Sequence, residues 1–204
     1  MKPIKLKEWE SLHFIDPKIF LSKIQNFEHS LAPHREKMKE KVLTLRTHLL
    51  SDHNERRQGA LFTSGVGKLM EYEFISFAHY EKEDYDIVCR DPKEDLLCYT
   101  PVQLKEVTPK SLNPNSTVEK ILESCMKKYA NLDELIIGVF VNRASDEENR
   151  SFKIPKGFKA KGLFLYGCCS PDHTEWFMIG DLMYTDSTLI KFTYPMVEPD
   201  GGDQ

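Results

Sequence analysis

The stretch YTPVQLKEVTP, residues 99–109, decides how this chain is read. Side chains alternate between the two faces of a strand, so Gln103 and Lys105 share one face while Val102 and Leu104 share the other. Just upstream lies DYDIVCRD, residues 84–91, in which Asp86 opens a second apolar run. Between the two sits PKED, residues 92–95, a polar turn containing proline. The pattern predicts two antiparallel strands joined by that turn. A turn centred between Lys93 and Glu94 puts Asp86 opposite Pro101, with Gln103 one same-face step beyond. Diagonal neighbours of this kind are about 7–8 Å apart. A carboxylate, an amide and an ammonium therefore gather at one edge of a sheet.

Phosphodiester hydrolysis is the chemistry that wants this grouping. Mg²⁺ is a hard cation that takes oxygen ligands and keeps several waters. In this reading Asp86 is the main metal ligand and Gln103 adds a neutral oxygen. The metal acidifies and orients a water, and Lys105 offsets the developing negative charge. A second carboxylate is expected from the segment before the strands. VGKLMEYEFISFAHY, residues 66–80, carries a helical pattern. Glu71 stands in the stripe Gly67, Phe74, Ile75, Ala78; Glu73 stands with Val66, Met70 and Phe77. Either acid sits on an otherwise apolar stripe, which is costly unless it is paired or binds a metal.

The rest of the chain frames this core. The 204 residues are 40% hydrophobic and 29% charged, with a formal charge of −4. That is ordinary globular composition, ample for one domain with a helical extension. Residues 1–60 hold 12 Lys/Arg against 8 Asp/Glu, whereas residues 61–150 hold 11 against 17. A basic flank beside an acidic middle is compatible with a phosphate-facing surface around a metal. No segment approaches the roughly 18 apolar residues of a membrane span. The opening MKPIKLKEWE lacks the apolar core of a secretion signal, so the protein is expected in the cytoplasm. The five scattered cysteines are expected to be reduced and mostly buried. The closing EPDGGDQ reads as a frayed tail.

Residues 16–50 read as helix broken at Pro33, with Ile19, Phe20, Ile24 and Phe27 on one stripe and Met38, Val42, Leu45 and Leu49 on another. SDHNERRQG (51–59) reads as a polar connector. Ser116 followed by Glu119 predicts a capping box opening a helix at 116–130. LIIGVFVNR (135–143) reads as a strand buried on both faces. GLFLYGC and EWFMIGDLM read as two more strands joined around SPDHT. The order predicts an α/β or α+β domain with a mixed central sheet flanked by helices and one right-handed parallel crossover.

The constellation resembles the PD-(D/E)XK nuclease superfamily of restriction endonucleases and junction resolvases. Its pattern is a helix glutamate, a strand aspartate, (Glu/Asp/Gln)-x-Lys on the next strand, then a helix and a strand. The matching residues are Glu71 or Glu73, Asp86 in YDIV, and Gln103 and Lys105 in VQLKEV; the glycine–glutamate spacing in GKLMEYEF favours Glu71. The match covers residues 60–142, about two fifths of the chain. It implies a restriction-endonuclease-like domain over 59–204 behind an N-terminal helical region over 1–58. It also implies Mg²⁺ or Mn²⁺ held by Asp86, Gln103 and Glu71 or Glu73, and a nucleic-acid substrate, DNA rather than RNA.

Two other readings compete. One is a non-catalytic interaction module, in which the helices of residues 16–50 and the aromatics Trp9, Phe14, Phe20 and Phe27 meet a partner or form a homodimer. The other is an enzyme using Cys168 or Cys169 with His173, for which no third orienting group is visible.

Overall fold

The computed structural model describes residues 3–37, 51–80, 85–93, 96–143 and 152–194. The stripe Met38, Val42, Leu45 and Leu49, the turn residues Glu94 and Asp95, and the closing tail lie outside the described residues. The elements run α1 (Pro3–Glu10), α2 (Pro17–Leu31), a 3₁₀ turn (Ala32–Lys37), α3 (Ser51–Leu69), β1 (Ser76–His79), β2 (Ile87–Lys93) and β3 (Leu96–Val107), followed by α4 (Val118–Lys128), a short 3₁₀ turn (Leu132–Glu134), β4 (Ile136–Val141), β5 (Gly162–Cys168), β6 (Glu175–Gly180) and β7 (Thr188–Thr193).

All seven strands form one sheet in chain order, and it is mixed as expected. The β1–β2–β3 pairs are antiparallel, β3–β4 and β4–β5 are parallel, and β5–β6–β7 are antiparallel again. Helix α4 makes the crossover between β3 and β4. Alternation of side chains gives the sheet two cores. Val88, Val107, Ile137, Val139, Leu163 and Leu165 pack with Trp9 of α1 and with Val118, Leu122 and Cys125 of α4. Phe77, Ile87, Val102, Leu104, Phe140 and Tyr166 pack with Leu21 of α2 and with Ala60, Leu61 and Phe62 of α3. No described helix is long and apolar enough to cross a membrane.

Helix α2 starts where Asp16 caps it, its Oδ1 accepting from Lys18 N at 2.7 Å and Ile19 N at 3.2 Å, with Pro17 at the first helical position, where its missing N–H costs nothing. The break near Pro33 is observed as the 3₁₀ turn. The buried stripe is Pro17, Leu21 and Ile24, whereas Ile19 and Phe27 are exposed, so the expected stripe is rotated. Trp9 is a core residue, not an interface residue: its indole N–H donates to Tyr85 Oη at 2.9 Å.

Two expectations before the strands are corrected. SDHNERRQG is not a connector but the first half of α3, and residues 66–80 are not one helix. Helix α3 ends at Leu69, and residues 76–79 are strand β1. The ending is a Schellman motif: Tyr72 N donates to Gly67 O at 2.9 Å, and Glu71 N to Lys68 O at 3.4 Å. The motif needs a left-handed residue just past the helix, and Glu71 takes that role with φ 54°. Glycines let α3 lie close to the sheet. A Cβ at Gly59 would stand 3.0 Å from Ile87 Cγ2, and one at Gly65 would stand 2.6 Å from Met178 Cε.

Helix α4 begins one residue later than expected. Its cap is Thr117, whose Oγ1 accepts from Lys120 N at 3.3 Å, while Ser116 Oγ instead accepts from Thr108 N. Proline is tolerated within β3 because Pro101 precedes Val102, the first residue of β3 that pairs with β4, so that side of the strand is open at the proline.

Candidate functional site

The site forms at the end of β2 and along β3, on the face of the sheet that α1 and α4 cover. β2 and β3 are antiparallel, with Val88 opposite Pro101 and Ile87 opposite Val102. The pairing is two residues from the expected register, which preserves the faces, since only an odd slip turns a strand over. Continued by one residue, it brings Asp86 opposite Gln103. Backbone bonds fix Asp86 between its neighbours: its N–H donates to Val102 O at 3.0 Å, and its carbonyl accepts from Tyr80 N at 2.9 Å.

The Asp86 carboxylate is clamped through one oxygen. Oδ2 accepts from Leu104 N at 2.7 Å and from the Gln103 side-chain amide. Gln103, only 4% exposed, also donates from Nε2 to Leu104 O at 3.1 Å. Both partners of that nitrogen are acceptors, so the amide is oriented with its NH₂ toward the carboxylate. Gln103 therefore acts on Asp86 as a donor, whereas the sequence suggested a neutral oxygen ligand. Oδ1 of Asp86 takes no hydrogen bond among the described residues.

Burial pushes the Asp86 carboxyl above the ordinary aspartate range. The Leu104 N–H bond and the Lys105 charge pull it back in part, while the charge of Glu55 raises it further. Removing water from a charge without a full counter-charge produces this shift. Lys105 lies on the same face as Gln103, as alternation requires, with Nζ 5.4 Å from the Tyr129 ring centroid. Lys128 Nζ approaches the same ring to 5.0 Å. Tyr129, at the C-terminal end of α4, is buried, and its hydroxyl has no hydrogen-bond partner among the described residues.

Sequence reasoning missed Glu55, His79, Lys128 and Tyr129. Glu55, in the first turns of α3, lies 3.3 Å from His79 Nε2 through its Oε2. His79, the last residue of β1, pairs with Ile87 next to Asp86, so the α3 carboxylate borders the same corner. Glu71 and Glu73 are exposed and belong to the chain that enters β1 at Ser76. Asp86 lies past the His79 end of that strand, ~10 Å away along β1 alone. The structure does not bring either acid to Asp86.

The charge of Glu55 reaches Asp86, but Glu55 itself is half-exposed and pairs with His79 at 3.3 Å. Among the described residues no three His, Cys, Asp or Glu side chains converge; Mg²⁺ commonly takes one or two carboxylates and fills its remaining positions with water.

In the cysteine alternative, Cys168 is not an activated thiol. Cys168 donates to Ser170 O at 3.1 Å, and burial raises its pKa, the reverse of a nucleophile's depressed value. His173 sits in the turn between β5 and β6 with φ 61°. Of the five free cysteines, Cys89 and Cys125 are buried and Cys169 is exposed. Burial pushes the Cys89 thiol up to about 12.

Comparison of the chain with family models, with curated proteins and with solved structures finds no match.

Proposed function

We propose that this protein is a divalent-metal-dependent phosphodiesterase acting on nucleic acid, DNA rather than RNA, built on a restriction-endonuclease-like core. The observation that carries the reading is Asp86: a desolvated carboxylate, clamped through one oxygen by Leu104 and Gln103, and within electrostatic reach of Lys105 and of the α3 acid Glu55. The succession α3, β1–β2–β3, α4, β4 follows the order of the PD-(D/E)XK pattern. In this reading Glu55 takes the place of the helix glutamate. Asp86 and Glu55 would hold Mg²⁺ or Mn²⁺, which supplies a water of lowered pKa and Lewis-acid stabilisation. Gln103 keeps Asp86 oriented. Lys105 meets the negative charge that grows on the phosphoryl oxygens, where a preorganised cation is most effective.

A second reading is a catalytically inactive nuclease-like module. The Gln103 amide favours it, because it satisfies Asp86 without a metal. The exposed Ile19 and Phe27 of α2 would then offer an apolar patch to a partner or a second copy.

Incubating the purified chain with duplex, single-stranded and branched DNA and RNA, in Mg²⁺ and in Mn²⁺, tests the assignment. Wild type should cut at least one DNA substrate, and Asp86→Asn should not. A wild type that cuts nothing, or an Asp86→Asn variant that cuts as well, leaves the inactive module as the account.

A further inference from the structure

Tyr129 presents an unusual combination. Its side chain is 3% exposed, and its hydroxyl is buried with no hydrogen-bond partner among the described residues. Two ammonium groups crowd its ring, Lys105 Nζ at 5.4 Å and Lys128 Nζ at 5.0 Å. No carboxylate among the described residues lies within ion-pair distance of either lysine. Two cations share one ring with no ion-paired acid and, among the described residues, only the charge of Asp86 nearby to offset them, and a buried hydroxyl left unpaired is a standing cost. A single anion that accepts from the hydroxyl and lies between the ammoniums removes both defects.

We infer that Tyr129, Lys128 and Lys105 form a phosphate subsite next to Asp86, which holds a neighbouring phosphodiester of the strand. The inference rests on the nucleic-acid reading above and deepens it. Adjacency to Asp86 comes from the strand: Lys105, which lies against the Tyr129 ring, is the next residue on the face of β3 after Gln103, whose amide bonds Asp86. Burial raises the Tyr129 pKa, and the Lys128 ammonium lies close enough to Tyr129 to oppose that rise. The elements suit the role. Tyr129 is held at the end of α4, its N–H donating to Cys125 O at 3.0 Å, so the ring is fixed. Lys128 is exposed and free to swing off the ring, which uncovers the hydroxyl and carries the charge onto the incoming phosphate. Lys105 then faces both phosphates and aligns the strand across the site.

The test is binding of a fluorescein-labelled 20-base-pair DNA duplex in EDTA, which prevents cleavage, measured by anisotropy across a KCl series. The proteins are wild type, Tyr129→Phe, Lys128→Gln and Lys127→Gln, the last a neighbouring charge control. Lys128→Gln should lower the slope of log K against log[KCl] by about 0.9, the value of one phosphate contact on duplex DNA, and Lys127→Gln should leave it unchanged. Tyr129→Phe should weaken binding roughly ten- to hundredfold, as expected for a lost hydrogen bond to a charged group. Because an unpaired buried hydroxyl costs stability, the same variant should melt at or above the wild-type temperature. Wild-type binding by both variants, equal slopes for Lys127→Gln and Lys128→Gln, or a lowered melting temperature for Tyr129→Phe would each overturn the subsite, whether or not DNA is cut. A second arm uses inorganic phosphate as the probe. If phosphate raises the melting temperature of wild type but not of Tyr129→Phe while no duplex is bound, the anion site stands and the nucleic-acid reading fails.

Discussion

Replacing Asp86 with Asn should make the metal-free protein more stable at neutral pH. The substitution keeps the shape of the side chain. An asparagine oxygen in the position of Oδ2 still accepts from Leu104 N and from the Gln103 amide, so the clamp survives while the charge is lost. What disappears is the cost of ionising a carboxyl that burial, and then Glu55, holds above its ordinary range. For an acid whose pKa is higher folded than unfolded, the native state binds more protons between the two values. Stability therefore falls as pH rises through that window, and the whole cost is present above the folded pKa. Wild type and Asp86→Asn should melt together near pH 3, where both side chains are neutral, and separate as pH climbs past the ordinary aspartate value of 3.8. Each pKa unit so recovered is worth about 1.4 kcal/mol, or about 3–6 °C for a chain of this length. Thermal melts in EDTA from pH 3 to pH 8 measure the gap. A variant less stable than wild type by the same margin at every pH would refute the reasoning, because Asp86 would then be a structural hub rather than a carboxylate held at a cost.

Other predictions follow from neighbouring residues. Lys105→Ala should retain metal binding yet lose on the order of 10²–10³ in cleavage rate in single-turnover assays, the size expected for one preorganised charge-stabilising group. Gln103→Glu replaces a donor to Asp86 and to the Leu104 carbonyl with a third negative oxygen; it should cost about 1–3 kcal/mol in EDTA melts and be rescued by Mn²⁺. Glu71→Gly should raise stability by about 1 kcal/mol, because glycine adopts the left-handed conformation without the penalty that glutamate carries, and should leave cleavage unchanged. If Glu71→Gly abolishes cleavage instead, the helix acid is Glu71 rather than Glu55.

The parts legible in the sequence were those written in local pattern. Alternation around VQLKEV set Asp86, Gln103 and Lys105 on one face, and a two-residue error in register did not disturb it. The α4 crossover, β4, β5 and β6 were readable for the same reason, as uninterrupted periods bounded by turn residues. Helix α3 was not. Its apolar positions Leu61, Phe62, Val66 and Leu69 keep helical spacing, but Gly59, Gly65 and Gly67 interrupt it. Those glycines disfavour a helix by about 1 kcal/mol each and serve tertiary contact, lying where a Cβ would meet Ile87, Met178 and Ile75. Misplacing α3 drew attention to Glu71 and Glu73, which the structure leaves exposed outside the helix, and hid β1. Strand β7, with its exposed alternating residues, was also unmarked. Glu55, His79, Lys128 and Tyr129 reach the site only through packing of α3 and α4 on opposite faces of the sheet, which no local period records. The orientation of the Gln103 amide is likewise set by two acceptors brought together only by folding.

The central claim is that Asp86 is kept desolvated in order to carry a divalent cation, and calorimetric titration with Mn²⁺ at pH 7.5 tests it most directly. Wild type should bind one ion, with the melting temperature rising as RT ln(1 + [Mn²⁺]/Kd) requires, about 2.7 kcal/mol at a hundredfold excess over Kd. Asp86→Asn should show neither the heat nor the shift. A wild type that binds no Mn²⁺ at millimolar concentration, or an Asp86→Asn variant that binds it equally well, would contradict the account.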